Sequence, residues 1–403
     1  MANSNSTKGK SYHFSYQFVT AGTTAPTILP NNEIWLDVGN RADLGVLDHH
    51  GGDTDVPSAT ELVFLHFNQL VKSHISGECK IKLTLHIRPD LDAICAAWLV
   101  NQALEQPLFI ENRQFLYPLI EMVSANDQGR IQTQHPETCW TVVFRERMRY
   151  ELPLSASDED RVELGFQILD WTFNELSNGR DLATISSQLI TPQVKSSLLE
   201  SKRTYLQDLE TAEQFQVYLP TRKSEALPMD KPIGCPLAEN AQARLADGIY
   251  LKNPNSSLFR ELARGDRQRS SLGEGFSFML VQYELKHSYQ NQPLNRYVLS
   301  TNPTTNFHLQ GLGRMLELKE QEQEEQLKLA PIPGRERVED GKGRHGYNVV
   351  SPWYDGRGHN FTIVDCPGVT IDQQKLYASC LTKEKVQSVV ESFSALVSTG
   401  SEV

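Results

Sequence analysis

Glu33-Ile34-Trp35-Leu36-Asp37-Val38-Gly39 and Gly45-Val46-Leu47-Asp48-His49-His50 share one shape: a short apolar run that ends on an aspartate. Such a run, closed by turn residues, reads as a short buried strand. Farther on, Lys80-Ile81-Lys82-Leu83-Thr84-Leu85 alternates apolar and polar like a strand and delivers His86, with Asp90 and Asp92 just beyond. Helical patterns separate these strands. Ser58-Ala59-Thr60-Glu61 has the form of a capping box and opens an apolar-periodic helix through about Val71, and a second apolar helix runs from about Ala93 to Leu104. Strands alternating with helices predict an α/β domain with an open, mostly parallel sheet and flanking helices.

Working outward, residues 1–150 form this first domain. Residues 151–215 read as a helical connector, with Leu164, Phe166, Ile168, Leu169 and Trp171 first and a charged stretch from Ser201 to Glu213. Residues 216–403 read as a second, smaller α+β domain. Its strand candidates are Gly275–Val281, Arg296–Ser300 and Phe361–Val364, and the Glu- and Gln-rich run from Glu317 to Lys328 reads as a solvated helix or loop.

The 403 residues are ample for two domains, and a composition of 39% hydrophobic and 22% charged residues is that of a soluble globular chain. A formal net charge of -11 disfavours long nucleic-acid duplexes, which are held through many Lys and Arg contacts to phosphate. It leaves room for a short or small phosphorylated substrate met by a local basic pocket or by metal ions. Six scattered cysteines without a C-x-x-C pair, a polar start at Met1 to Lys10 and a longest apolar segment of only Ala93 to Val100 predict a cytoplasmic protein with no membrane partner. The oligomeric state is open, a homodimer included.

The chemistry lies in where the acids and imidazoles fall. Asp37, Asp48, His49, His50, His86, Asp90 and Asp92 all sit at or just past the ends of strand candidates, and in an open parallel sheet those ends form the ligand site. Any one of them alone would be an ordinary cap or satisfied polar residue. Gathered together, the carboxylates would repel one another unless a cation neutralised them. Mixed Asp oxygens and His nitrogens suit a first-row divalent ion, Mn first, with Mg, Co or Zn as alternatives.

These residues resemble the DHH phosphoesterase superfamily. His86-Ile87-Arg88-Pro89-Asp90-Leu91-Asp92 is similar to its H-x3-D-x-D segment, Asp37 to its lone Asp, Asp48-His49-His50 to its name-giving triplet, and Asp127 in Asn126-Asp127-Gln128-Gly129 to its last Asp. The phrases Asp37-Val38-Gly39 and Asp48-His49-His50 look like a DHH-like exonuclease branch. The order differs: the family usually places H-x3-D-x-D first, whereas here the lone Asp and the triplet precede it.

The resemblance implies a hydrolase that cleaves phosphodiester bonds of short oligonucleotides or small nucleotides through two divalent ions and an activated water. The family also contains manganese pyrophosphatases, a second reading, and a catalytically silent nucleotide-sensing module is a third. It implies that His86 and Asp90 bind one ion, that Asp92, His49 and Asp127 bind the other, and that Asp37 bridges them. His50 would face the substrate phosphate or support a ligand, and Asp48 would orient an imidazole. From the second domain, Arg344, His345, Arg357 and His359 would hold the phosphate, Gly356-Arg357-Gly358-His359 loosely resembling the family's G-G-G-H element. Trp353 or Tyr354 offers a stacking surface for a base. Arg260, Arg264, Arg267 and Arg269 form a second basic cluster, of which Arg260, Arg264 and Arg267 would share a helix face, read as solvated or salt-bridged ahead of a phosphate contact.

Overall fold

The computed structural model describes residues 12–50, 56–77, 80–106, 109, 114–221, 242–330, 347–348, 351–354 and 362–399. The chain divides into two compact units, Met1–Gly129 with His135–Leu198 and Arg130–Gln134 with Leu199–Val403.

The first unit is built on a five-stranded sheet. Its strands are β1 (His13–Val19), β2 (Glu33–Leu36), β3 (Ala42–Asp43), β4 (Val46–Leu47) and β5 (Lys80–His86), in the spatial order β1-β5-β2-β4-β3. The pairs β1/β5, β5/β2 and β2/β4 are parallel and only β3/β4 is antiparallel, so the sheet is mostly parallel as the sequence predicts. β1 is not anticipated by the sequence reading, although Phe14, Tyr16 and Phe18 alternate with polar residues along it. It matters for topology: β5, the last strand of this sheet in sequence, slots between β1 and β2. The strand that ends in His86 therefore lies beside the strand that ends before Asp37, whatever their order in sequence.

Helix α1 (Ala59–His66) is capped by Ser58, whose hydroxyl accepts from the Glu61 N–H at 3.1 Å, and widens into a π-turn at Phe67–Val71. Only that half of the expected capping box forms, because the Glu61 carboxylate accepts from Ser124 instead. Helix α2 (Leu91–Glu105) is buried on nearly every side, from Ala93 through Val100 without a break, which makes it the central element of this core. Around it stand α3 (Tyr117–Asp127), α4 (Trp140–Glu151), α5 (Asp158–Ser177) and α6 (Leu182–Leu189). The approach of α5 to α2 is close enough to require Gly165, since a Cβ there would lie 2.5 Å from Ile94 Cγ2. Trp98 Nε1 donates to Asp170 and Trp140 Nε1 to Thr172, tying α2 and α4 to α5. The helices expected as a connector thus pack within the first unit as far as Leu198, inside α7 (Pro192–Thr211).

The second unit spans about as many residues as the first. Its seven-stranded sheet contains β6 (Glu213–Pro220), β7 (Ala243–Lys252), β8 (Phe278–Tyr289), β9 (Gln292–Thr301), β10 (Tyr347–Asn348), β11 (Ser351–Tyr354) and β12 (Ile363–Asp365). Only β7/β8 is parallel. A two-residue turn at Gln290 and Asn291, both with positive φ, closes the β8/β9 hairpin. The short α8 (Phe259–Gly265) follows β7, a small hairpin, β13 (Gly368–Ile371) with β14 (Gln374–Tyr377), follows β12, and α9 (Leu312–Leu327) and α10 (Lys383–Thr399) supply Leu312, Leu316, Val386 and Phe393 to the core around Leu280, Tyr297 and Leu299. The Glu- and Gln-rich run is corrected by α9: Glu317, Glu320 and Glu324 are buried. Glu320 accepts from the Ser379 hydroxyl and from the Cys380 N–H, so backbone and hydroxyl donors replace water.

No helix among the described residues is long and apolar enough to cross a membrane.

Candidate metal centre

Each candidate ligand is set by local backbone. Asp37 follows β2 directly, its N–H donates to Leu47 O at 3.0 Å, and its φ of 57° puts a non-glycine residue in the left-handed region. Strain of that kind persists only where surrounding structure enforces it. Gly39, at φ 129°, continues the turn, and a Cβ there would lie 2.6 Å from Val46 Cγ1. Asp48 follows β4 and is buried. Its Oδ2 accepts from the Asn40 N–H at 2.6 Å, and its Oδ1 faces both the His50 N–H and His50 Nδ1, the latter at 2.7 Å. A carboxylate only accepts, so this contact fixes a proton on Nδ1 of His50.

His86 closes β5, and Asp90 caps α2, with Oδ1 accepting from the N–H groups of Asp92 and Ala93. Asp92 lies in the first turn of α2, and its carboxylate accepts from Ala59 N at 2.7 Å and Thr60 N at 2.9 Å, the first two residues of α1. Asp127 is the last residue of α3.

These residues meet. Asp37 divides its two oxygens, with Oδ1 3.4 Å from His49 Nε2 and Oδ2 3.4 Å from His86 Nε2. On one side His86 Nε2 lies 3.7 Å from Asp90 Oδ1. On the other, His49 Nε2 lies 3.3 Å from Asp127 Oδ2 and 3.9 Å from Asp92 Oδ2. Asp37 with His86 and Asp90, and His49 with Asp92 and Asp127, each bring three ligand atoms within 4.8 Å of one another, as do Asp37, His49 and His50. Three of the converging atoms, Asp37 Oδ1, His49 Nε2 and Asp127 Oδ2, are buried and make no hydrogen bond. Native interiors rarely leave such atoms orphaned. A divalent cation would satisfy all three, and the mixed oxygen and nitrogen donors fit a first-row ion.

Electrostatics describe the same need. Burial, then the nearby Asp92, Asp37 and Asp90, raise Asp127 to about 9. Burial, then Asp37, raise Asp92 to about 7. Burial opposes the charged imidazolium of His86, but Asp37 and Asp90 outweigh it and raise the ring to about 11. Burial likewise opposes ionised Asp37, and its contacts to His49 and His86 outweigh that and hold it below the usual carboxylate range. Without a cation the cluster is balanced by protons, so a cation would displace protons as it binds.

The other candidates fare differently. Arg344, His345, Arg357 and His359 lie outside the described residues. Trp353 is fully buried in the core of the second unit, which removes it as a stacking surface. Arg264 is buried with Nη2 donating to Thr301 O, and Arg267 falls beyond the end of α8, so no shared basic face forms with Arg260. Glu320, Glu324 and Cys380 form a further group of ligand atoms, but no oxygen of Glu320 or Glu324 is a buried atom without a hydrogen bond, in contrast to Asp37 Oδ1 and Asp127 Oδ2. Residues that hold the centre without being ligand candidates, Asn40, Thr60 and Ser124, escape sequence reasoning. For Asn40 and Ser124 no local pattern signals the role, while Ser58 to Glu61 signals a helix start and nothing about its partner. No protein-family model, no curated protein and no solved structure matches this chain.

Proposed function

We propose that the first unit is a two-metal phosphoesterase of the DHH type, which hydrolyses phosphodiester bonds in short oligonucleotides or small nucleotides. The observation that carries the reading is the division of Asp37 between His49 and His86, with Asp37 Oδ1, His49 Nε2 and Asp127 Oδ2 buried and unbonded around it. His86 and Asp90 would hold one Mn or similar ion and His49, Asp92 and Asp127 the other, with Asp37 shared. Such ions neutralise phosphoryl charge and generate a nucleophile from water at neutral pH. The chain's own contribution is to fix the ligands. Asp48 keeps the His50 ring in one orientation, and His50 is the most exposed of the three imidazoles, at 38% against 11% for His49 and 13% for His86. That exposure suits a group that holds a proton opposite a substrate phosphate oxygen.

The net charge of -11 favours a short substrate over a long duplex. The test incubates the purified chain with Mn on a short 5'-labelled RNA or DNA, a cyclic dinucleotide and pyrophosphate, with EDTA and the Asp37→Ala and Asp90→Ala variants as controls. Mn-dependent cleavage of the nucleotides, lost with EDTA and in both variants, is the expected result. Inorganic phosphate from pyrophosphate alone would replace the substrate assignment with a pyrophosphatase. Nucleotide binding without turnover of any of the substrates would overturn the enzyme reading in favour of a sensing module.

A further inference from the structure

We infer that Ser58, Thr60, Glu61 and Ser124 form a brace whose task is to preset the His49–Asp92–Asp127 metal position. The inference rests on the two-metal reading and adds positioning residues to it.

The brace has two arms. One grips Asp92. The N–H groups of Ala59 and Thr60 donate to its two carboxylate oxygens, and the Thr60 hydroxyl donates to its backbone carbonyl at 3.0 Å. Both ends of the ligand residue are thereby held by one turn of α1. The other arm reaches α3 at Ser124, one helical turn before Asp127. Ser124 Oγ donates to Glu61 Oε2 at 3.0 Å and lies 2.7 Å from Ser58 Oγ, while Ser58 Oγ accepts from the Glu61 N–H.

Proton counting gives these bonds a direction. Each serine has one hydroxyl proton. Ser124 spends its proton on the Glu61 carboxylate, so Ser58 must supply the proton between the two serines. The result is a closed circuit: Glu61 N–H to Ser58, Ser58 O–H to Ser124, Ser124 O–H back to the Glu61 carboxylate. Every donor in it is used in one sense only, and bonds arranged in this way polarise one another. Ser58, Thr60 and Ser124 are fully buried, so each lost bond leaves a polar group without water. Ala59 and Thr60 therefore fix α2 at Asp92, and Ser58 and Glu61 tie α3 at Ser124, one turn before Asp127, while none of these residues hydrogen-bonds His86 or Asp90.

The test is Mn titration by calorimetry in two backgrounds. His86→Ala leaves only the braced position, and Asp127→Ala leaves only the other. In the His86→Ala background, Ser124→Ala and Thr60→Val should weaken Mn binding by about tenfold to a hundredfold, the usual effect of losing an outer hydrogen-bond partner. Thr60→Ser should restore it. In the Asp127→Ala background the same substitutions should leave Mn affinity unchanged. Glu61→Ala, at a half-buried position, repeats the test should a fully buried variant fail to fold. Equal weakening in both backgrounds, or a lower unfolding temperature of the cation-free protein with Mn affinity intact, would overturn the brace and leave only a structural tie. Wild-type protein that binds two Mn ions while the brace variants bind as tightly fails the brace alone. Wild-type protein that binds no Mn fails the two-metal reading, and the brace with it.

Discussion

Asp92 and Asp127 reach the centre from helices, Asp92 gripped by backbone N–H groups of a third helix and Asp127 one turn beyond the Ser124 tie. Asp37, His86 and Asp90 reach it from strand ends and turns, and the Asp90 side chain is 56% exposed against 1% for Asp92. The left-handed non-glycine residues near the site, Asp37, Asn40 and Arg88, all belong to the turns of this second half, and none lies between Ser58 and Glu61 or between Ser124 and Asp127. One half is thus held by hydrogen bonds that cross between helices, the other by hydrogen-bonded turns that carry left-handed backbone. On the two-metal reading, a preset half would keep its geometry without the ion, whereas a turn-built half would leave room for ligands to adjust on binding.

The largest expected effect separates the halves by pH. In the cation-free protein Asp92 and Asp127 have raised pKa values, about 7 and about 9. The folded state then holds protons that the unfolded chain releases near pH 4, so the contribution of these two carboxyls is full below that pH and is lost as pH rises through 7 and 9. His86, raised to about 11, acts in the same sense above about pH 6.5. On the two-metal reading, Mn would replace those protons. At about a hundred times its dissociation constant it should add about 2.7 kcal/mol, or about 5–10 °C for a unit of this size, and the gain should grow from pH 5 to pH 8. Thermal unfolding with and without Mn across that range checks this. Asp127→Asn should flatten the cation-free loss between pH 7 and 9 and remove much of the Mn gain. An unchanged pH profile in that variant would mean that the buried half does not carry the proton load.

Next in size is a pair of glycine substitutions that place equal strain in different places. Gly39→Ala forces a Cβ against Val46 at φ 129°, in the turn that carries Asp37, and should cost about 2 kcal/mol. Gly165→Ala forces a Cβ against Ile94 between α5 and α2, away from the ligands, at a similar cost. Both should lower the urea midpoint, but only Gly39→Ala should also weaken Mn binding. Equal Mn affinity in the two would show that the Asp37 turn tolerates displacement.

Asp37, Asp48 and His86 are legible because they end apolar runs: Leu36 before Asp37, Leu47 before Asp48, Leu85 before His86. Strand ends and catalytic types coincide there, so one pattern reports both. The brace was not legible, because Ser58 and Glu61 form a pattern that signals only a local helix start, while their partner Ser124 lies 66 residues from Ser58. α9 misled for a related reason. Glu317, Glu320 and Glu324 recur at helical spacing, and charge argued for solvent, but a buried face can be acidic when backbone N–H groups and hydroxyls meet it. Polar pairing across elements leaves no mark in a local window. The missed β1 is the converse case: its alternation is present, yet its role depends on β5 arriving beside it from far along the chain.

The smallest effect probes whether strain in the turn-built half is functional or incidental. Arg88 has φ 55° and lies exposed between His86 and Asp90, and its backbone N–H donates to Asp158 Oδ1 at 3.0 Å, a bond that any residue but proline can keep. Left-handed backbone costs an L-residue about 1–2 kcal/mol, and glycine escapes that cost while losing some chain entropy on folding. Arg88→Gly should therefore stabilise the cation-free protein by about 0.5–1 kcal/mol, read as a rise in the urea midpoint. The same relief is not open to Asp37, whose φ is nearly equal but whose carboxylate is shared between two imidazoles. A gain at Arg88 would show that the turn is imposed by its anchors at His86, Asp90 and Asp158, so the strain is a consequence of bringing those residues together. A loss would show that the arginine side chain itself holds the turn, and the contrast between a hydrogen-bonded half and a backbone-strained half would have to give way to one in which both halves are held by side chains.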